Sequence, residues 1–153
     1  MNIPLALLSS RLYSVRGDSM LPAFRPGELL LVSRSAYSDS APTRQDVVVV
    51  GDPRGADRRY LKRVLGMPGE EIALSEGLLY VDGEHLIEPY LEGLPASLGL
   101  GESVWRLGNE QYLVLGDRRT RSTDSREFGP VTLDLIYGKA WLRCWPPRKW
   151  GPI

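Results

Sequence analysis

The chain has 153 residues, with 19 basic and 19 acidic side chains. That is enough for one sizeable core, and it leaves no net charge to draw the protein to nucleic acid. A single cysteine, Cys144, excludes an internal disulfide, and one cysteine beside one histidine, His85, excludes a structural zinc centre of the Cys/His kind. Any histidine-based triad would have to use His85, so a hydrolase built on this chain finds its base elsewhere.

Sixteen glycines and twelve prolines fall between short apolar runs, which favours many strands joined by turns over long helices. Residues 1–8 are apolar but short and contain Pro4. They lack the basic lead and small-residue site of a secretory signal, and no segment reaches the roughly 18 apolar residues that span a bilayer. Strands are expected at residues 12–15, 29–32, 46–50 and 60–65, then at 71–74, 78–81, 112–115 and 140–145. Four successive valines, Val47 to Val50, mark a buried strand. Asp82-Gly83 between two short runs predicts a hairpin with a type I′ turn, and places His85 on a surface strand. Helical pattern is confined to a short turn around residues 133–136, while 91–108 reads as a long loop or flap. The expectation is one mainly antiparallel β domain over residues 1–153, partly closed like a barrel.

Three segments carry chemistry. In Gly17-Asp18-Ser19-Met20-Leu21-Pro22 a serine sits on a turn at a strand end, where its hydroxyl can project and backbone N–H groups can face a carbonyl. In the second, alternation puts Tyr60, Lys62 and Val64 on one strand face, and Leu61, Arg63 and Leu65 on the other. A lysine on such a face is partly desolvated, which favours the neutral amine. To act as a base near neutrality it must come down by about 3 pKa units, roughly 4 kcal/mol. The third segment, residues 115–130, packs hydroxyls, carboxylates and four arginines directly after a strand, a composition suited to a loop braced by Arg–carboxylate pairs. Taken singly, these are also what a polar turn, a snorkelling lysine and a solvated loop would look like.

Together and in order they are more specific. From about Tyr13 onward the chain resembles signal peptidase I. The resemblance rests on Gly17-Asp18-Ser19-Met20-Leu21-Pro22, on Lys62-Arg63-Val64-Leu65-Gly66-Met67-Pro68-Gly69, and on the run from Gly116-Asp117 to Phe128-Gly129. Gly83, Glu88-Pro89-Tyr90 and Gly138-Lys139-Ala140 are smaller matches. The resemblance implies a serine endopeptidase with Ser19 as nucleophile and Lys62 as general base, needing no metal or cofactor. Ser122 matches a serine that orients the lysine amine, and Asp124 and Arg126 match a bracing pair. The Ser19 N–H should be one oxyanion donor. Gly17 stands where some members carry a second donor hydroxyl, and Arg118 stands where Asn is usual.

By the same resemblance, the substrates are precursor proteins with a cleavable leader, cut after small residues. Bulky Met20, Tyr60 and Leu61 beside the catalytic pair would make the pockets shallow. Family members are usually anchored with the catalytic domain outside the cytoplasm. No anchor precedes the first strand here, which leaves an upstream span, peripheral membrane docking through Trp141, Trp145 and Trp150, or a soluble cytoplasmic maturation protease. A self-cleaving repressor shares the serine box but needs a scissile site ahead of it. A non-catalytic β-barrel module would have no need for Ser19, Lys62, Ser122, Asp124 and Arg126 together.

Overall fold

The computed structural model describes residues 8–55, 57–91 and 101–153. Its larger sheet is built from β1 (Ser10–Ser14), β2 (Leu29–Ser33), β3 (Val47–Gly51), β4 (Arg59–Gly66), β9 (Gln111–Leu115), β10 (Val131–Thr132), β11 (Ile136–Trp145) and β12 (Gly151–Pro152). Strand order is β1-β2-β11-β3-β4-β9-β10, with β12 beside β11. A smaller sheet runs β7-β6-β5-β8, from β5 (Glu71–Ser75), β6 (Leu78–Val81), β7 (Glu84–His85) and β8 (Ser103–Arg106). Among the described residues every pairing is antiparallel and no barrel closes.

The valine run of β3 is apolar throughout because both of its faces are covered. Val47 and Val49 join a cluster with Val15, Met20, Phe24, Leu30 and Leu61, while Val48 and Val50 join Val64, Tyr112, Val114 and Ile136. A register shift between Val64 and Gly66 where β4 meets β9 turns Leu65 into a third cluster, with Ile72, Leu74, Leu79, Leu113 and Leu115, which packs the small sheet against the large one. β4 thus serves three cores, and that fixes its position tightly around Lys62.

The hairpin expected at Asp82-Gly83 forms, with φ of 49° and 85° at the two turn residues, and His85 is exposed beside Tyr80. Three features differ from the sequence reading. Within the stretch expected to be a loop or flap, Ser103–Arg106 is a strand whose pairing with β5 is long-range; residues 92–100 lie outside the described residues. β11 begins at Ile136, four residues before the expected strand, because a bulge lets Gly138 pass under the Ser33 carbonyl. A four-residue helix, α1 (Ser125–Phe128), interrupts the third chemical segment.

Candidate active site

Ser19 lies in the turn that leaves β1. Gly17 takes a φ of 71°, a conformation open to glycine at little cost, and this swings the chain so that Ser19 faces β4. Lys62 projects from β4 between Tyr60 and Val64, opposite Val48, and is 1% exposed. Its Nζ is 2.7 Å from Ser19 Oγ and donates to the Leu61 carbonyl at 3.0 Å. The Tyr60 ring centroid stands 5.5 Å from Nζ. Burial brings the amine down from the ordinary 10.5 to about 8; the Asp124 and Asp117 carboxylates pull it back up, and Arg126 opposes them. The lysine is therefore accessible in its neutral form near physiological pH.

The third segment closes over this pair. Leaving β9, Gly116 runs so close to Ser19 that a Cβ on it would meet the Ser19 carbonyl at 2.6 Å and Ser122 Oγ at 2.2 Å. Only glycine fits between the two serines. Asp124 caps α1 and fixes the turn: Oδ2 accepts from Gly116 N at 2.9 Å, and Arg126 grips the carboxylate in a fork, Nε to Oδ1 at 2.9 Å and Nη2 to Oδ2 at 2.8 Å. Burial pushes the Asp124 carboxyl up, but Arg126, the Gly116 N–H and the Ser122 hydroxyl together hold it below the usual range. Ser122 Oγ is buried without a well-formed hydrogen bond, and none joins it to Lys62 in this structure.

The structure brings together Ser19, Lys62, Ser122, Asp124 and Arg126. Met20 and Leu61 share one cluster beneath the serine turn, whereas Tyr60 lies on the other face, stacked on Phe128 and donating to Asp52 at 3.0 Å. Several bracing residues escaped the sequence reading. Arg63, next to Lys62, forks onto buried Asp117 at 2.9 and 2.8 Å and stacks its guanidinium 3.8 Å from the Tyr90 ring centroid. Arg119 is buried against Glu88 and donates to the Gly116 carbonyl. The unusual Arg118 gains a physical account: its guanidinium pairs with Asp18, and its N–H donates to the Ser19 carbonyl at 2.9 Å, so it ties the third segment to the serine turn at two points. The charges of Arg63, Asp117, Arg118 and Asp18 are visible in the sequence, but nothing in one sequence pairs residues 54 and 100 positions apart.

Residues 3–145 match the family described as signal peptidase, peptidase S26. A signal peptidase I of Bacillus caldolyticus is 37% identical over 150 residues, covering 91% of this chain and 81% of that one. A signal peptidase IB of Staphylococcus aureus is 34% identical over 152 residues, covering 88% and 77%. Among solved structures, a signal peptidase I from Enterococcus faecalis superposes with a TM-score of 0.58 at 30% identity, over 65% of this chain and 97% of that one. A β-sheet protein with these relatives is a serine endopeptidase. The chain belongs to the signal peptidase family, peptidase S26, whose members process signal peptides.

Proposed function

We propose that the chain removes leader peptides by a Ser19–Lys62 dyad, cutting after small residues. The observation that carries the reading is the 2.7 Å contact between a buried, pKa-lowered amine and the hydroxyl of a turn serine. Neutral Lys62 takes the Ser19 proton as Oγ attacks the scissile carbonyl. The oxyanion faces the Ser19 N–H, with the backbone at Gly17 beside it. The lysinium then protonates the leaving amine, and a water activated by the same base releases the acyl group from Ser19. Ser122, poised over Gly116, positions the amine, and Asp124 with Arg126 holds the loop that carries it. Among the described residues an extended substrate has a free edge to pair with: β4 pairs β3 from Arg59 to Arg63 but meets β9 only from Arg63 onward. Met20 and Leu61 are buried in the cluster beneath the serine turn, and the preference for small residues one and three before the bond rests on the family membership.

Ser19→Ala and Lys62→Met are each expected to abolish cleavage of an Ala-x-Ala precursor, and the double variant to lose no more than either. A Lys62→Met protein that kept most of its rate would remove lysine from the base role. Labelling of Ser19 by a lipopeptide or β-lactam-like inhibitor would separate an enzyme from a binding module. Efficient cleavage after Arg or Phe would overturn the specificity and leave the dyad standing.

No helix among the described residues is long and apolar enough to cross a membrane. Trp145 and Trp150 are 53% and 66% exposed, with Arg25 and Arg148 nearby, which supports peripheral contact with a bilayer surface. Co-sedimentation with anionic vesicles should weaken in a Trp145→Ala, Trp150→Ala variant. Trp141 is half-buried and donates to Ser10, a packing role.

A further inference from the structure

One side of the Lys62 amine is covered by an aromatic ring. Tyr60 lies two residues before Lys62 on the same face of β4, and its ring centroid stands 5.5 Å from Nζ. The tyrosine is only half-buried, so a ring held by nothing else would have solvent to turn into. Two contacts outside the dyad fix it. Its hydroxyl donates to Asp52 Oδ2 at 3.0 Å, and its ring stacks on Phe128 of α1 with centroids 5.8 Å apart.

Asp52 follows β3, where its N–H donates to the Arg58 carbonyl at 3.1 Å, and its side chain is 1% exposed. Oδ1 accepts from the Arg54 N–H at 3.0 Å and from Arg54 Nε at 2.9 Å, while Oδ2 accepts from Arg54 Nη2 at 2.8 Å as well as from Tyr60. The Arg54 side chain foremost, with the Arg54 N–H and the Tyr60 hydroxyl, holds this carboxyl well below its usual range against burial. The remaining arm of Arg54, Nη1, donates to Glu127 Oε1 at 2.8 Å, and the guanidinium lies 5.9 Å from the Phe128 ring centroid. The cluster thus anchors one ring from the β3–β4 turn and from the helix that Asp124 caps. Stability does not explain it well: the Arg54–Glu127 pair is half-exposed at both ends, and such pairs contribute about 0–1 kcal/mol. What the cluster does settle is the place of the Tyr60 ring.

The amine is flanked by Tyr60 and Val64 on its own strand and touched by Ser19 from the serine turn. The charges that act on it come from the site loop: Asp124, Asp117 and Arg126. Asp52 is not one of them, so its route to the amine runs through the Tyr60 ring. We propose that Asp52 is a positioning residue for the lysine base: braced by Arg54, it pins the Tyr60 ring beside the amine and keeps water from it. The inference rests on the Ser19–Lys62 dyad reading, and it extends that reading to a carboxylate outside the site loop.

The test uses the full chain and reads the pH midpoint of kcat/KM on an Ala-x-Ala precursor in Asp52→Asn and in Tyr60→Phe, two substitutions that keep side-chain shape. The sign of the change separates the causes. Loss of a negative charge by itself disfavours the ammonium form and moves the midpoint down, whereas water reaching the amine moves it up. The midpoint should rise by about 0.5–1 in Asp52→Asn and by less in Tyr60→Phe. In Asp52→Asn kcat/KM should fall about threefold to tenfold at pH 7 and recover at pH 10, where the amine is neutral in either protein. A midpoint that stays at about 8 or moves down, with only the melting temperature lowered, would overturn the inference and leave the dyad standing. A second arm does not depend on turnover: the carbon-13 shift of Lys62 Cε, titrated by NMR in Ser19→Ala and in the Ser19→Ala, Asp52→Asn double variant. The same upward displacement is expected there, and superimposable titration curves would overturn the inference. Displacement in a protein whose cleavage rate ignores Lys62→Met would sink the dyad reading and keep the hold of Asp52 on the amine.

Discussion

Lys62 is a cation lodged among valines, with Val48 across the strand and Val64 two places on. The drop from 10.5 to about 8 corresponds to about 3 kcal/mol that the folded state forfeits while the amine is charged. The unfolded chain holds this proton up to 10.5, whereas the folded chain sheds it near 8. Stability from this group is therefore full above pH 10.5, falls as pH drops through that window, and is lost below 8. Lys62→Met should stabilise the protein at pH 7 by up to about 3 kcal/mol, and the gap should close towards pH 10.5, as urea melts at several pH values would record. A variant no more stable at pH 7 would mean a hydrated amine. On the proposed dyad the same ionisation sets the rate: kcat/KM should climb with pH through about 8 and then level off, because a base in that role must be the neutral lysine. A profile flat from pH 6 to 10 would remove lysine as the titrating base.

The element that makes the site is the turn from β9 through Gly116 to α1. Asp124 does three things there: it caps the helix, holds the Gly116 N–H and neutralises Arg126. Asp124→Ala should cost about 2–4 kcal/mol, since it removes a cap and leaves a half-buried guanidinium without its partner. Thermal melts would show the loss, and the rate should fall with it because the turn also carries Ser122. Gly116→Ala is a sharper probe. The added methyl collides with a backbone carbonyl, Ser19 O, which has no rotamer to escape into. It should reduce kcat at least a hundredfold through displacement of the serine turn by about 1 Å. Near-normal kcat in that variant would show that the two serines are held less tightly than the 2.6 Å approach implies.

At the scale of the molecule, the segment that follows the smaller sheet's β7 is coupled to the site loop by a buried ion pair, in addition to the third apolar cluster. Glu88, which follows β7, pairs with Arg119 in the site loop, their side chains 9% and 1% exposed. Arg119 in turn donates to the Gly116 carbonyl at 3.1 Å. Glu88→Ala leaves a buried guanidinium unpaired and should cost about 3–5 kcal/mol. It should also lower kcat, although Glu88 lies outside the dyad. Loss of stability with full activity in the folded fraction would show that the sheets are joined only for strength.

The serine turn, the lysine strand and the braced loop were legible in one sequence because each is a local pattern: a hydroxyl between glycine and proline, a lysine in an alternating strand, a loop dense in opposite charges. The hairpin at Asp82-Gly83 was legible because positive φ selects its residues locally. β8 was not, since Ser103–Arg106 has four residues and only its partner β5 makes it a strand. Nor were the pairs Arg63–Asp117, Arg118–Asp18 and Arg119–Glu88, whose members are separated by 54, 100 and 31 residues. The sequence by itself determined which groups could do the proposed chemistry, because reactivity depends on side-chain identity. Only the tertiary structure decided that Lys62 is buried enough to lose its proton and close enough to reach Ser19 Oγ, because desolvation and distance are properties of packing, summed over strands far apart in the chain.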